Sequence, residues 1–364
     1  MAAHDHDELP LFCSLGLIVL DELHLPDGQV LLDVVGGCMP YSTVGACLVV
    51  DEVDIQRICC FLLAGHDFPQ DASKQIEGWG VDLEIQNAEG RESTRGKLQY
   101  HDKGFASKTF GYTTPPLQPT AKDLPLRFLR ASAFHFLASP DQLKLQVKDL
   151  LEARKEAGIT ARPLIVWEPA PMHCRPNSLA AHVEASKLVD VFSPNHQELD
   201  ALCGRLKQQG PLPPASVGRQ HVEGCAAAFM EEHFHVFGPH QLVIIRAAEH
   251  GSLVARRTTS GDQLRDTVDM TWVDPYYSVE DQHRIQDATG AGNAFLGAFA
   301  VEFQQNGGDA VEATAKASVA ASFAVEQIGL PTKRHIGGRS SKSEWNGTTV
   351  AERMKEYERK TSKT

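Results

Sequence analysis

Asp287-Ala288-Thr289-Gly290-Ala291-Gly292-Asn293-Ala294-Phe295 is the stretch that decides how this chain is read. Its small-residue turn runs directly into Phe295-Leu296-Gly297-Ala298-Phe299-Ala300-Val301, apolar enough for a buried helix. The spacing predicts a glycine-rich loop that opens this helix. The first amides of a helix have no acceptors within it, and the helix dipole is positive at that end. Gly290 and Gly292 let the backbone approach a bound anion closely. A Gly-Ala-Gly before a helix also serves as a plain tight turn packing small residues, so the residues around it must choose between the two readings. The last polar position, Asn293, is an amide where a proton acceptor would be useful.

Outward from this loop, strand-like runs alternate with helix-like stretches. Phe134 to Ala138, the helical Asp141 to Gly158 and Leu164 to Trp167 are examples. This order predicts an α/β fold, a three-layer sandwich with a mostly parallel central sheet between helices. Val81 to Tyr112 is more polar and alternates, as in Val81-Asp82-Leu83-Glu84-Ile85, which suits extra strands standing off the main sheet or a solvent-exposed hairpin. Residues 208–232, with Gly210-Pro211-Leu212-Pro213-Pro214, read as a surface insertion. Residues 332–364 carry nine Lys/Arg against four Glu in a chain of net charge −12, giving a basic C-terminal tail. Val350 to Lys360 suits a short amphipathic helix with Val350, Met354 and Tyr357 on one face, docked or mobile.

Several further segments end in chemistry. Leu11 to Leu20 reads as one apolar strand ending in Asp21, with Gly16 five residues before it. Gly36-Gly37 leads toward Ala46-Cys47-Leu48-Val49-Val50, with Tyr41 between. Leu164-Ile165-Val166-Trp167 ends in Glu168-Pro169. After Val189 to Phe192 comes Pro194-Asn195-His196-Gln197-Glu198, where Asn195 and Glu198 stand at helix-cap and capping-box positions. Leu242 to Arg246 is a further strand, followed by Ala248 and Gly251.

In this order the segments resemble the PfkB/ribokinase family of carbohydrate kinases over roughly residues 8–335. The Asp287-to-Phe295 stretch is the most specific part of the match. Glu168-Pro169 with Pro194-Asn195-His196 is most similar to a fungal branch, the "maintenance of killer" proteins. The resemblance implies a ribokinase-like sandwich with a small β lid, its strands within about 36–45 and 81–115, and a separate tail over 336–364. It implies an anion hole at Gly290, Ala291 and Gly292, with Asn293 where the family has its catalytic aspartate. Asp21, Gly36, Gly37 and Tyr41 would line the substrate site, and Tyr41, where the family has asparagine, would favour a flatter ligand or fill the pocket. Gly251, Asp287 and Thr289 would hold ATP. Ala248 replaces a glycine there, and alanine resists positive φ. Asn195 and Glu198 would organise Mg2+, whose hard character suits oxygen ligands.

Two functions follow as expectations. One is an ATP-dependent phosphotransferase acting on an alcohol of a small sugar or nucleoside-like substrate, slowed by Asn293. The other is a pseudokinase that binds nucleotide or metabolite and works through protein partners. No strand is followed by Gly-x-Gly-x-x-Gly, which argues against a dinucleotide dehydrogenase. The acidic balance, with pI about 5.7, argues against nucleic acid. No run has the length of a membrane span, and the acidic start Met1 to Glu8 is unlike a signal peptide. A cytoplasmic protein is expected, and a homodimer through the lid fits the family pattern. The eight cysteines contain no Cys-x-x-Cys and read as reduced, packed thiols. Among the 16 histidines no pair at helical spacing meets a third ligand, so no zinc site is expected.

Overall fold

The runs Leu164–Pro169 and Leu242–Arg246 are almost wholly buried, which is what a strand covered on both faces requires. In the computed structural model, which describes residues 9–102, 108–204, 218–233, 236–259, 266–335 and 343–362, they lie within a nine-stranded sheet. In chain order the strands of the two larger sheets are β1 (Phe12–Ser14), β2 (Val19–His24), β3 (Val30–Gly36), β4 (Ile58–Ala64), β5 (Asp82–Asn87), β6 (Arg95–Tyr100), β7 (Lys108–Tyr112), β8 (Ala133–Ala138), β9 (Leu164–Pro169), β10 (Val191–Phe192), β11 (Leu242–Arg246), β12 (Ser252–Thr259) and β13 (Asp266–Val273). The large sheet has the order β13-β12-β11-β10-β9-β8-β1-β4-β5. Its strands from β11 to β5 are parallel, and β12 and β13 return antiparallel at one edge.

One face of this sheet is covered by the helices Cys38–Cys47, Ala291–Gln305 and Ala310–Val325. The other is covered by Pro140–Glu156, Leu179–Ser186, His196–Leu202 and Arg219–His233. Ser139 starts the first of these with a capping box to Gln142, which fixes where the chain turns after β8. The C-terminal helix Val350–Thr361 docks rather than drifts. Tyr357 is buried, Val350 and Met354 pack on the core, and Arg353 reaches Ser322 Oγ at 2.8 Å and Glu326 at 2.5 Å.

A second sheet, β3-β2-β6-β7, forms the lid. Two boundaries differ from the sequence reading. Leu11–Leu20 is not one strand: the chain leaves the main sheet after Ser14 and re-forms as β2, so Asp21 belongs to the lid. The lid is also built from 19–36 and 95–112. Residues 38–47 are helix, and β5 pairs parallel with β4 as an edge of the main sheet. An edge strand with one wet face alternates just as a lid strand does, so periodicity does not separate the two. Residues 210–214 lie outside the described residues. Residues 219–232, read as part of a surface insertion, lie in the helix Arg219–His233, which buries Val222, Cys225, Phe229 and Met230.

Candidate active site

Parallel sheets of this kind place their sites beyond the carboxyl ends of the strands. Glu168, Asn195 and Arg246 stand there, at or just past the ends of β9, β10 and β11. The helix Ala291–Gln305 begins at the same edge. Gly290 caps it in the left-handed region, φ 77°, with no side chain closing the cap. A Cβ on Gly290 would strike the ring of Tyr41, and one on Gly292 would strike Arg246 Nη1. Both glycines are therefore required by close approach, and Gly290 also by backbone conformation. Ala291 N–H turns back to Ala288 O at 3.3 Å. The amides of Gly292 and Asn293 stand in the first turn, where helix geometry offers no acceptor.

Asn293 does not face open space. Its Nδ2 donates to Glu168 Oε2 at 2.5 Å. The contact fixes the amide's orientation, because the carboxylate needs a donor, and turns Oδ1 away from Glu168. Glu168 Oε1 meets Arg246 Nη1 at 2.9 Å, and His135 Nε2 lies 3.5 Å from Oε2. Arg246 Nη2 donates to Ser193 O at 3.0 Å and reaches Glu198 Oε2 at 3.5 Å. Burial pushes the Glu168 carboxyl up, but Arg246 and His135 pull harder, and it ends below its ordinary value. At Glu198 burial wins over Arg246 and the carboxyl rises to about 7.

The lid closes over the other end of the loop. Tyr100 OH donates to Asp287 Oδ2 at 2.5 Å, and Lys108 Nζ lies 3.3 Å from Oδ1 and also bonds Thr289. Thr289 donates to Asp287 Oδ1 through both its amide, at 3.0 Å, and its hydroxyl, at 2.7 Å. Asp287 and Thr289 thus clasp the lid to the loop. Asp21 sits in β2 opposite Val34 and Gly96, 8% exposed, and its Oδ1 is buried with no hydrogen-bond partner among the described residues. Burial, then the charge of Asp287, raises its carboxyl to about 7. Gly36 leaves room for this carboxylate, and Gly37 turns the chain into the helix carrying Tyr41. Tyr41 is 3% exposed, so its ring fills space between the lid and the loop.

Asn195 and Glu198 form a full capping box. Glu198 N–H donates to Asn195 Oδ1 at 2.8 Å, Asn195 N–H to Glu198 Oε2 at 2.7 Å, and Asn195 Nδ2 to Glu198 Oε1 at 2.7 Å. The oxygens expected to serve magnesium are engaged by protein donors, and a guanidinium already faces them. A dication coordinated directly by Glu198 would have to displace these donors and share the carboxylate with the guanidinium. This donor set does not fit a directly bound Mg2+, which demands near-octahedral geometry. Further along, Gly251 has φ 92° in the turn joining β11 to β12, and Ala248 takes φ 48° despite its Cβ. The left-handed conformation survives the substitution because Ala247 N–H bonds Gly251 O at 2.7 Å and closes the turn around it.

A cluster unforeseen from sequence lies on the far face. His221 and Cys225 are four residues apart on one helix and both meet Asp200 of another, at 2.9 Å each. Asp200 accepts from both, so the trio is satisfied internally. In the site itself the residues missed were Arg246, His135, Tyr100 and Lys108. Only Arg246 left a signal, a charge ending the apolar run Leu242–Ile245, as Glu168 ends its own strand.

This arrangement is that of a sugar-kinase scaffold, and the chain belongs to the pfkB family of carbohydrate kinases, whose model matches residues 59–334. It is similar to an uncharacterized protein of Schizosaccharomyces pombe, 31% identical over 350 residues (95% of this chain and 92% of that one). It is also similar to Protein MAK32 of Saccharomyces cerevisiae, 26% identical over 363 residues (95% and 92%). Among solved structures it matches a fructokinase with bound ATP from Xylella fastidiosa, with TM-score 0.65 at 17% identity, covering 97% of this chain and 98% of that one. The ribokinase-like fold is thereby shown. No helix among the described residues is long and apolar enough to cross a membrane.

Proposed function

We propose that the chain binds ATP along the Gly251 turn and the Gly290–Asn293 loop and transfers its terminal phosphoryl group, slowly, to an alcohol of a small sugar or nucleoside-like molecule beneath the lid. The observation that carries this reading is the buried, unpartnered Asp21 Oδ1. An unpaired acceptor in a closed site is costly, and a substrate hydroxyl would satisfy it. Asp21 would orient the substrate, and the amides of Gly292 and Asn293 would balance charge on the migrating group. Positioning and electrostatics contribute most to phosphoryl transfer.

Asn293 sets the rate. Its Oδ1 can accept a hydrogen bond from the alcohol but cannot take the proton. General-base assistance is typically worth about 10² to 10⁴. A second reading, a pseudokinase that holds nucleotide or metabolite and acts through protein partners, is favoured by Tyr41 filling the substrate side.

The test is phosphoryl transfer to a panel of sugars and nucleosides by wild type and by Asn293→Asp/Glu168→Gln, which moves the carboxylate to the loop. Turnover detectable in wild type and raised 10-fold or more in the double variant supports the kinase. ATP binding with no turnover in either supports the pseudokinase, and no ATP binding defeats both.

A further inference from the structure

The far face of the molecule gathers a second set of reactive side chains, outside the site described above. His221 and Cys225 stand one turn apart on the helix Arg219–His233, so both point toward the same neighbour, the helix His196–Leu202. There they meet the carboxylate of Asp200. His221 Nε2 lies 2.9 Å from Oδ2, Cys225 Sγ donates to Oδ1 at 2.9 Å, and Sγ and Nε2 are 3.5 Å apart. A Cys-His-Asp relay would use both ring nitrogens, one toward each neighbour. Here a single nitrogen faces both, so the three donor atoms converge on one point instead of forming a chain. Asp200 is 3% exposed, and among the described residues no lysine or arginine pairs with it. A buried carboxylate whose partners are a thiol and an imidazole keeps its charge uncancelled, which is unfavourable. Thiolate, imidazole and carboxylate are ligands that zinc takes, and a tetrahedral zinc holds such atoms roughly 3.2–3.7 Å apart. The cluster reaches that spacing by opening about 0.3–0.5 Å at Asp200. The His221 side chain is 36% exposed, which gives the cation an entry path and leaves a fourth position for water.

We propose that Asp200, His221 and Cys225 form a zinc site that clamps the helix His196–Leu202 to the helix Arg219–His233. On binding, Cys225 Sγ–H releases its proton to solvent and the Nε2 proton of His221 moves to Nδ1. Sγ, Nε2 and an Asp200 oxygen then each present a lone pair to the cation. The charges of thiolate and carboxylate cancel that of the dication. The clamped helix opens with the Asn195–Glu198 capping box, so the metal steadies the element that braces Arg246. Sequence spacing concealed the site because its third ligand is an aspartate 21 residues before His221.

The test titrates the full chain, stripped with EDTA and then dialysed free of it, with Zn2+ alone and with Co2+ alone at pH 8. One equivalent per chain should bind, each zinc should release about one proton, and Co2+ should show the near-ultraviolet band of a thiolate ligand. Cys225→Ser should abolish that band. Cys225→Ser and His221→Gln should each weaken Zn2+ binding about 100-fold or more, since even outer-shell partners are worth about 10- to 100-fold. Circular-dichroism melts establish that the variants fold, and Zn2+ should raise the melting temperature of wild type but not of Cys225→Ser. Zinc-edge X-ray absorption of wild type needs no variant and should show one sulfur neighbour beside nitrogen and oxygen. Absence of bound zinc in folded wild type, a metal shell without sulfur, or binding that survives both substitutions at wild-type affinity overturns the proposal, the last marking adventitious capture by other thiols and histidines.

Discussion

Restoring the family's aspartate by Asn293→Asp alone should damage this protein rather than repair it. Asn293 Nδ2 lies 2.5 Å from Glu168 Oε2, so an aspartate there sets two carboxylates against each other in a buried site. At about 3 Å and an effective dielectric of about 20 the repulsion is near 5 kcal/mol. The pair escapes by binding a proton, which at pH 7 costs about 1.4 kcal/mol for each of the roughly three pH units above an ordinary carboxyl, about 4 kcal/mol in all. A hydrogen bond within the protonated pair recovers about 2 kcal/mol of this, but the amide-to-carboxylate bond, worth a similar amount, is gone. The net expectation is a loss of about 4 kcal/mol at pH 7. The shared proton raises the pair's folded pKa above its unfolded value. Stability is therefore retained at low pH and lost as pH rises through the raised value. Urea denaturation at pH 5 and pH 7 should show a deficit against wild type that is small at the first and large at the second. Asn293→Asp/Glu168→Gln should recover most of it. A single variant as stable as wild type at both pH values would refute the contact between Asn293 and Glu168 and the network built on it.

Asp21 behaves similarly in the wild type. Its carboxyl, raised to about 7 by burial and then Asp287, makes the folded state hold a proton between pH 4 and 7 that the unfolded state has released, so stability declines across that window. Asp21→Asn should remove the decline and leave the protein up to about 4 kcal/mol more stable than wild type at pH 8, with parallel urea curves at pH 5 and 8 counting against it. Gly290→Ala should cost at least about 1–2 kcal/mol from left-handed backbone alone, and Tyr41→Ala should relieve the additional clash; a double-mutant cycle with no coupling would show that the two do not touch. Arg353→Ala removes the buried link to Ser322 and Glu326 and the stacking on Phe323 at 3.6 Å. It should cost about 3–5 kcal/mol and expose the Val350–Thr361 helix to limited proteolysis; an unchanged digestion pattern would contradict docking through this residue.

The sequence alone determined the alternation of buried strands and helices, and so a parallel sandwich, because those signals are local: continuous apolar runs, caps such as Ser139, and glycine spacing. It also fixed Gly290 and Gly292 at a helix mouth and Asn293 beside them. Contacts over long separations were not legible. Nothing near residue 293 announces that its amide meets Glu168, 125 positions earlier. Nothing near 287 points to Tyr100 and Lys108 on the lid. The capping box at Asn195 was visible, but the arginine facing Glu198 was not, because β10 and β11 become neighbours only when the sheet closes. Local pattern sets which elements form, while the charge at this site is decided by which strand ends the sheet brings side by side. That is why the family fold could be read from the chain and the arginine over Gly292 required the tertiary structure.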